Sequence, residues 1–401
     1  NVVHLCTIYM QLKFLYILFS VLLALSCSDN KKSIEVTPWG STADEDSADF
    51  ENHFTISDLQ SNGEMIMLTM SGPDTYFDYR GQGMGTQYLL CEKFAHDIGV
   101  SLRVELCRDT AEMLTRLEEG EGDIIVYQMS RKTKGLNYCG YGTDSTSWAV
   151  SEDNKELSDS LNRWYRPQLL AQIKKEEAFM YSPQSIRRHT YSPMLNASAG
   201  IISEYDHLFQ KYAPLTRWDW RLLAAQCYQE STFDPNARSW AGACGLMQIM
   251  PATADMIGLS RANIFDPEEN IAAAARYIKT LNGKFLDIRD RNERCSFILA
   301  SYNGGFFHIR DAMALTKKHG RNPHSWRDVS EFVLKLSYPE YYNDPVVKYG
   351  YMRGQETAGY VESIRNRWAQ YRSKARGGSG IQGFPGEAIP QKARKKHRFR
   401  L

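Results

Sequence analysis

The spacing of apolar residues changes character once along this chain, near Ser198, and no other feature constrains the fold as much. Before it, short apolar runs alternate with amphipathic segments. Met65 to Thr69 reads as a strand. Gly85 to Ile98 reads as a helix with Leu90, Cys91, Phe94, Ala95 and Ile98 on one face, and Ser101 to Cys107 alternates as a second strand. Asp109 with Glu112 resembles a capping box for a helix burying Met113, Leu114 and Leu117, and Asp123 to Val126 is a buried strand. This βαβαβ order predicts half of a small α/β domain with a parallel sheet.

After Ser198 every apolar stripe has helical spacing. Ile201 to Tyr212 is a first helix. Thr216 and Asp219 make a capping box for the next, with Leu215 stapled to Trp220 and a buried stripe of Trp220, Leu223, Ala224 and Cys227. Asp234-Pro235 stops it, and Pro251 opens a short helix that Gly258 can close. Asp266, Pro267 and Glu269 cap a helix burying Ile271, Ala274, Ala275, Ile278 and Leu281. Another carries Cys295, Ile298, Leu299 and Tyr302 and ends at Gly304-Gly305. Ser325 with Asp328 caps one more, and a last runs from about Arg353 to Tyr371. The fold class is therefore α+β and multidomain. An α/β lobe spans 63–180, a linker with Pro183 and Pro193 spans 181–197, and an all-helical domain spans 198–372.

The ends read differently. Residues 1–27 have Lys13, the apolar run Phe14 to Leu25, then Ser26-Cys27, with Met10 a plausible initiator: an export signal. A Cys after a small residue resembles the lipobox of bacterial lipoproteins, which makes Cys27 a lipidation site. An uncleaved anchor or a plain secretory signal are the alternatives. Residues 28–62 are rich in Ser, Asp, Glu and Lys and read as a polar tether without packed structure. Residues 373–401 read as a flexible basic tail, solvated or lying on anionic lipid. A net charge of +1 leaves no global field to draw nucleic acid. Setting aside Cys6 and Cys27 leaves Cys91, Cys107, Cys139, Cys227, Cys244 and Cys295. Disulfides are open to an exported chain, with buried thiols the alternative for Cys227 and Cys295, and no Cys/His spacing suggests a metal.

One stretch, Gln226 to Ala254, concentrates candidate chemistry. Glu230 falls in the last turn of an otherwise apolar helix, where the negative helix end and partial burial both favour a protonated acid near neutral pH. Read alone, a Glu before Ser-Thr at a helix end is usually a surface residue. Around it, however, stand Glu230-Ser231-x-Phe233, Gly245-Leu246-Met247-Gln248-Ile249-Met250-Pro251-x-Thr253-Ala254, Asp266-Pro267-x-x-Asn270-Ile271 and Ala300-x-Tyr302-Asn303-Gly304-Gly305. These four motifs, in this order over about residues 199–371, resemble the lysozyme-like domain of the soluble-type lytic transglycosylases. The family usually has Ala-Tyr-Asn-Ala-Gly where this chain has Ser301-Tyr302-Asn303-Gly304-Gly305, a small departure.

That resemblance implies peptidoglycan as substrate, Glu230 as catalytic acid and Ser231 as its hydrogen-bonding neighbour. Gly245, Leu246, Met247 and Gln248 would floor the glycan groove, with Met247 and Gln248 against sugar, and Tyr302 and Asn303 would face Glu230. Core packing is the blander reading of Met247 and Tyr302. Glycosidases ordinarily use two carboxylates. The motifs supply one, and neither Asp234 nor Asp255 is a strong candidate for the second. A single acid implies a lyase that leaves 1,6-anhydro ends and needs no metal or cofactor. The alternatives are a lysozyme-type hydrolase and a non-catalytic wall-binding or sensing lipoprotein. Export with a lipobox implies a Gram-negative outer-membrane lipoprotein facing the periplasm.

In the first part, Gly72-x-x-x-Tyr76-Phe77, Tyr79-Arg80-Gly81, Phe94-Ala95 and Gly120-x-Gly122-Asp123-Ile124-Ile125 resemble the first lobe of amino-acid-type extracellular solute-binding proteins. Only about 50 residues separate Val126 from the helical segment near Glu177, too few for a second lobe, and Leu89 stands where many such binders carry an acid. A small-molecule or muropeptide ligand and a spacer role are both open to a single lobe.

Overall fold

A computed structural model describes residues 54–377. The expected export signal, Cys27, most of the tether and the basic tail beyond Gly377 lie outside the described residues.

The first described element corrects the tether. Thr55 and Asp58 make a reciprocal capping box that starts helix α1 (Ile56–Asn62), and Leu59 is buried under the lobe. Five polar residues out of seven hid a short amphipathic turn whose single buried anchor is Leu59. The expected strands and helices then follow: β1 (Glu64–Thr69), α2 (Thr86–Asp97), β4 (Ser101–Leu106), α3 (Thr110–Glu118) and β5 (Ile124–Ser130), with an unexpected hairpin of β2 (Phe77–Tyr79) and β3 (Gln82–Met84) between β1 and α2. The chain returns through β6 (Leu136–Gly142) and β7 (Thr146–Ser151), then α4 (Lys155–Trp164) and α5 (Pro167–Met180).

The sheet order is β4-β1-β5-β7-β6. Its first three strands are parallel, with Glu64 opposite Ser101 and Met67 opposite Ile124, while β7 runs antiparallel to β5 and β6. The sheet is therefore mixed rather than parallel. Met65, Met67, Ile124 and Val126 bury on one face with Leu90, Phe94 and Trp148, and Leu68 and Ile125 on the other with Met113 and Leu117.

Residues 181–197 do more than link. They form β8 (Ile186–Arg187), which pairs with β9 (Arg238–Ser239) inside the helical domain, so the segment is a strap across that domain. The helices there are α6 (Asp206–Thr216), α7 (Trp220–Ser231), α8 (Pro251–Met256), α9 (Pro267–Lys284), α10 (Arg291–Gly304), α11 (Phe306–Lys318), α12 (Trp326–Lys335), α13 (Pro339–Tyr342) and α14 (Gly354–Lys374). Helix α7 is buried nearly all round, from Leu222 to Cys227, and packs on α6 and α14. Trp368 and Tyr371 of α14 are fully buried beside it.

Three expected caps differ. Asp109 accepts from Glu112 N, but the Glu112 carboxylate accepts from Arg108 N and not from Asp109 N, so the box is only half made. Thr216 ends α6, its hydroxyl donating to Ala213 O, and Asp219 caps α7 alone by accepting from Arg221 N. Leu215 is left exposed, so no staple forms. Ser325 makes no side-chain cap, because Asp328 accepts from Asn322 N instead. All six cysteines of the described residues are free and buried, so their packing is that of small apolar side chains.

Candidate active site

Helix α7 ends abruptly at Ser231. Thr232 and Phe233 are both left-handed, at φ 55° and 65°, a costly conformation for side chains with a Cβ. Contacts on all sides hold it. Thr232 N donates to Tyr228 O, its hydroxyl donates to His189 O on the strap, and the buried Phe233 ring meets Tyr228 edge-on at 5.4 Å. His189 N in turn donates to Asp234 Oδ2 at 2.6 Å. The turn fixes the last helical residues, and Glu230 with them.

Glu230 is 8% exposed. Tyr360 on α14 donates its hydroxyl to Glu230 Oε1 at 2.5 Å, and Gln226 Nε2 donates to the same hydroxyl oxygen at 3.2 Å. Arg188 of the strap donates to Glu230 O at 2.9 Å. Burial raises the Glu230 carboxyl to about 7, against the pull of Arg80, the Tyr360 hydrogen bond and Arg188; Glu356 pushes it further up. An acid at that value is substantially protonated near neutrality, and the carboxylate left after it gives up its proton can take one back.

The Gly245–Gln248 turn lies beneath. Gly245 has φ 77°, and a Cβ there would meet Asn270 Nδ2 at 2.5 Å. The fully buried Asn270 binds the turn by accepting from Met247 N at 2.8 Å and donating to Cys244 O and Ile264 O. From the other side Tyr302 donates its hydroxyl to Met247 O at 2.8 Å. Gln248 is left-handed at φ 47°, with its Nε2 donating to Ala237 O and Gly245 O.

Two cavities flank Glu230. One of about 650 Å³ is lined by Tyr181, Arg188, Trp240, Arg353 and Tyr360; the other, of about 460 Å³, by Gln248, Thr253, Asp255, Tyr277 and Tyr302. Glu230, Asn303 and Arg80 line both. Arg80 belongs to the lobe: it sits at the tip of the β2–β3 hairpin, left-handed at φ 54°, and its Nη2 donates to Glu356 Oε1 at 2.6 Å. Tyr79 donates to both Glu356 oxygens at 2.9 Å, and its ring lies parallel to Trp240 with centroids 6.2 Å apart. The lobe thus supplies part of the site wall.

Residues 207–325 match the transglycosylase SLT domain. The membrane-bound lytic murein transglycosylase F of Serratia proteamaculans is 38% identical, over 77% of this chain and 84% of its own length. The chain belongs to that family. The namesake from Desulfosudis oleivorans is 27% identical over 76% of this chain and 89% of its own. Among solved structures, the 70 kDa soluble lytic transglycosylase of Escherichia coli covers 42% of this chain and 24% of its own, with 27% identity and a TM-score of 0.31.

The residues singled out from the sequence of this transglycosylase F relative divide in two. Glu230, Gln248, Tyr302 and Asn303 line the cavities. Gly245, Leu246 and Met247 do not. Leu246 and Met247 are 0% and 1% exposed and pack in the core, so the expected contact of Met247 with sugar is not available to its side chain. Ser231 is fully buried and its hydroxyl donates to Cys227 O, not to Glu230. That neighbour role falls to Tyr360. Asn303 Oδ1 accepts from Thr357 on α14. Asp234 is tied to backbone amides and lines neither cavity, and Asp255 is paired with Arg261. The acid that reaches Glu230 electrostatically is Glu356, which no motif named.

Proposed function

We propose that this chain is a peptidoglycan lytic transglycosylase in which Glu230 is the acid, then the base. The reading rests on one observation: a buried carboxyl with a pKa near 7 stands between two cavities lined by sugar-compatible aromatic and amide side chains. A glycan strand placed with one sugar in each cavity puts its glycosidic oxygen at Glu230. The protonated carboxyl gives its proton to the oxygen between N-acetylmuramic acid and N-acetylglucosamine, and that C–O bond breaks. The substrate's acetamido oxygen supports the cationic C1. Glu230, now ionised, takes the proton of the muramic C6 hydroxyl, whose oxygen closes on C1. The product carries a 1,6-anhydro end and no water is consumed. Tyr360 supports the ionised carboxylate by its hydrogen bond.

A lysozyme-type hydrolase would need a second carboxylate free to activate water. Glu356, the carboxylate that acts on Glu230, already accepts from Arg80 and Tyr79, which favours the lyase. Digestion of purified sacculi tests the choice. Products lacking the mass of one water support it, products with reducing ends refute it, and Glu230→Gln removes activity if Glu230 is the acid.

For location we infer the envelope of a Gram-negative bacterium, with the chain held as an outer-membrane lipoprotein through Cys27 and facing the periplasm. The Ser26-Cys27 pattern supports this, and no helix among the described residues is long and apolar enough to cross a membrane. Palmitate labelling that survives Cys27→Ser would refute it.

A further inference from the structure

In an open sheet with parallel strands, ligands bind beyond the carboxyl ends of the strands, where the chain's winding reverses. In this lobe that point lies between β1 and β5, since β1 is followed by β4 on one side and by β5 on the other. The two strands pair at Met67–Ile124 and Leu68–Ile125, and the Thr69 hydroxyl still donates to Val126 O at 2.8 Å where β1 ends. At this crevice the chain leaves β1 into the Ser71–Thr75 loop, and β5 continues through Tyr127.

It is filled by the helical domain. Tyr351 N donates to Ser71 Oγ at 2.8 Å. Gly350 lies so close that a Cβ there would stand 2.2 Å from that oxygen. The buried Tyr351 ring meets Phe77 at 4.8 Å and Tyr342 at 5.6 Å, both edge-on. A Cβ at Gly72 would stand 3.7 Å from the Tyr342 hydroxyl, and Tyr127 and Asp74 are near enough to act on its ionisation. Tyr351 stands just ahead of α14, whose first turns carry Glu356 to Arg80 and Tyr360 to Glu230.

We propose that the lobe's ligand crevice is an intramolecular dock, which holds Tyr342 and Tyr351 where a free ligand would sit and so fixes the start of α14 at the active site. The lobe is then a positioning module without a free ligand of its own. Tyr351 is a positioning residue, acting through Glu356 and Tyr360. The activity readout rests on the lytic reading; the binding readout does not.

The test uses the full chain in two arms. Calorimetry with each L-amino acid and with purified muropeptides is expected to show no saturable binding. Saturable binding that Ser71→Trp abolishes would overturn the dock. In kinetics on soluble glycan strands, Tyr351→Ala is expected to lower kcat about tenfold or more, with KM within about threefold. The alkaline limb of its pH profile should move too, while Tyr351→Phe, which keeps the ring, stays within about twofold of the parent. A Tyr351→Ala protein with parental kcat and pH profile would refute the positioning role. If that variant does not fold, Ser71→Ala, which removes only the acceptor for Tyr351 N–H, takes its place under the same criteria. A parent chain that releases no muropeptides fails the lytic reading and leaves the binding arm standing.

Discussion

Arg80 and Glu356 join the α/β lobe to the helical domain through a 2.6 Å hydrogen-bonded ion pair beside the Glu230 carboxyl. Both side chains keep about a quarter of their surface in water, at 24% and 28%, so the pair adds at most about 1 kcal/mol to stability. Its larger effect is on Glu230, because the two charges act on that carboxyl with opposite sign.

Removing the Arg80 charge should therefore raise the Glu230 pKa. The proton is held to higher pH, so Arg80→Ala moves the alkaline limb of kcat/KM upward. Glu356→Gln, which removes the charge that pushes the pKa up, moves that limb downward. A pH–rate series on soluble glycan strands checks both; shifts of the same sign would contradict the assignment.

Tyr360→Phe deletes the donor to Glu230 Oε1 and the acceptor for Gln226 Nε2. Losing the hydrogen bond to the ionised form raises the Glu230 pKa again. Leaving buried Gln226 unpaired costs about 1–3 kcal/mol. Urea unfolding measures the loss, which the Arg80 variant does not share.

Glu230 opposes folding at alkaline pH. Its folded pKa of about 7 lies above the ordinary 4.5. Between those values the folded state holds a proton that the unfolded chain has released, so stability falls as pH rises across that window. The full penalty, about 3 kcal/mol, is reached above pH 7. Glu230→Gln should lose activity by about 10²–10⁴-fold and gain stability at pH 8 with little gain at pH 4. Thermal unfolding at the two pH values reads this directly.

Gly245 and Gly258 have similar left-handed backbones, φ 77° and 71°, but different surroundings. A Cβ at 258 meets nothing within 4 Å, whereas at 245 it meets Asn270 Nδ2 at 2.5 Å and Ile264 O at 2.9 Å. Gly258→Ala should cost about 1 kcal/mol from backbone strain alone. Gly245→Ala should cost clearly more and reduce activity by displacing Gln248. Equal losses in urea unfolding would show that the close packing on Asn270 carries no weight.

Local chemistry made part of this legible in the sequence. Caps such as Asp266 and stops such as Asp234-Pro235 act within a few residues, so the helices and the place of Glu230 at a helix end could be read directly. The Asp266–Ile271 motif also makes physical sense, since Asn270 holds the turn under the groove. What stayed hidden joins distant parts of the chain. Arg80 reaches Glu356 across 276 positions and Tyr360 reaches Glu230 across 130, and no periodicity encodes such meetings. Strand β6 escaped because its burial hardly alternates, with only Cys139 buried. Met247 misled because its motif position matters through its backbone, which binds Asn270 and Tyr302 while the side chain packs in the core.

The most direct measurement is the mass of the muropeptides that the full chain releases from purified sacculi. The lytic account predicts 1,6-anhydro ends, one water lighter than hydrolysis products, and their disappearance with Glu230→Gln. Reducing ends as the main product, or unchanged release by Glu230→Gln, would contradict it.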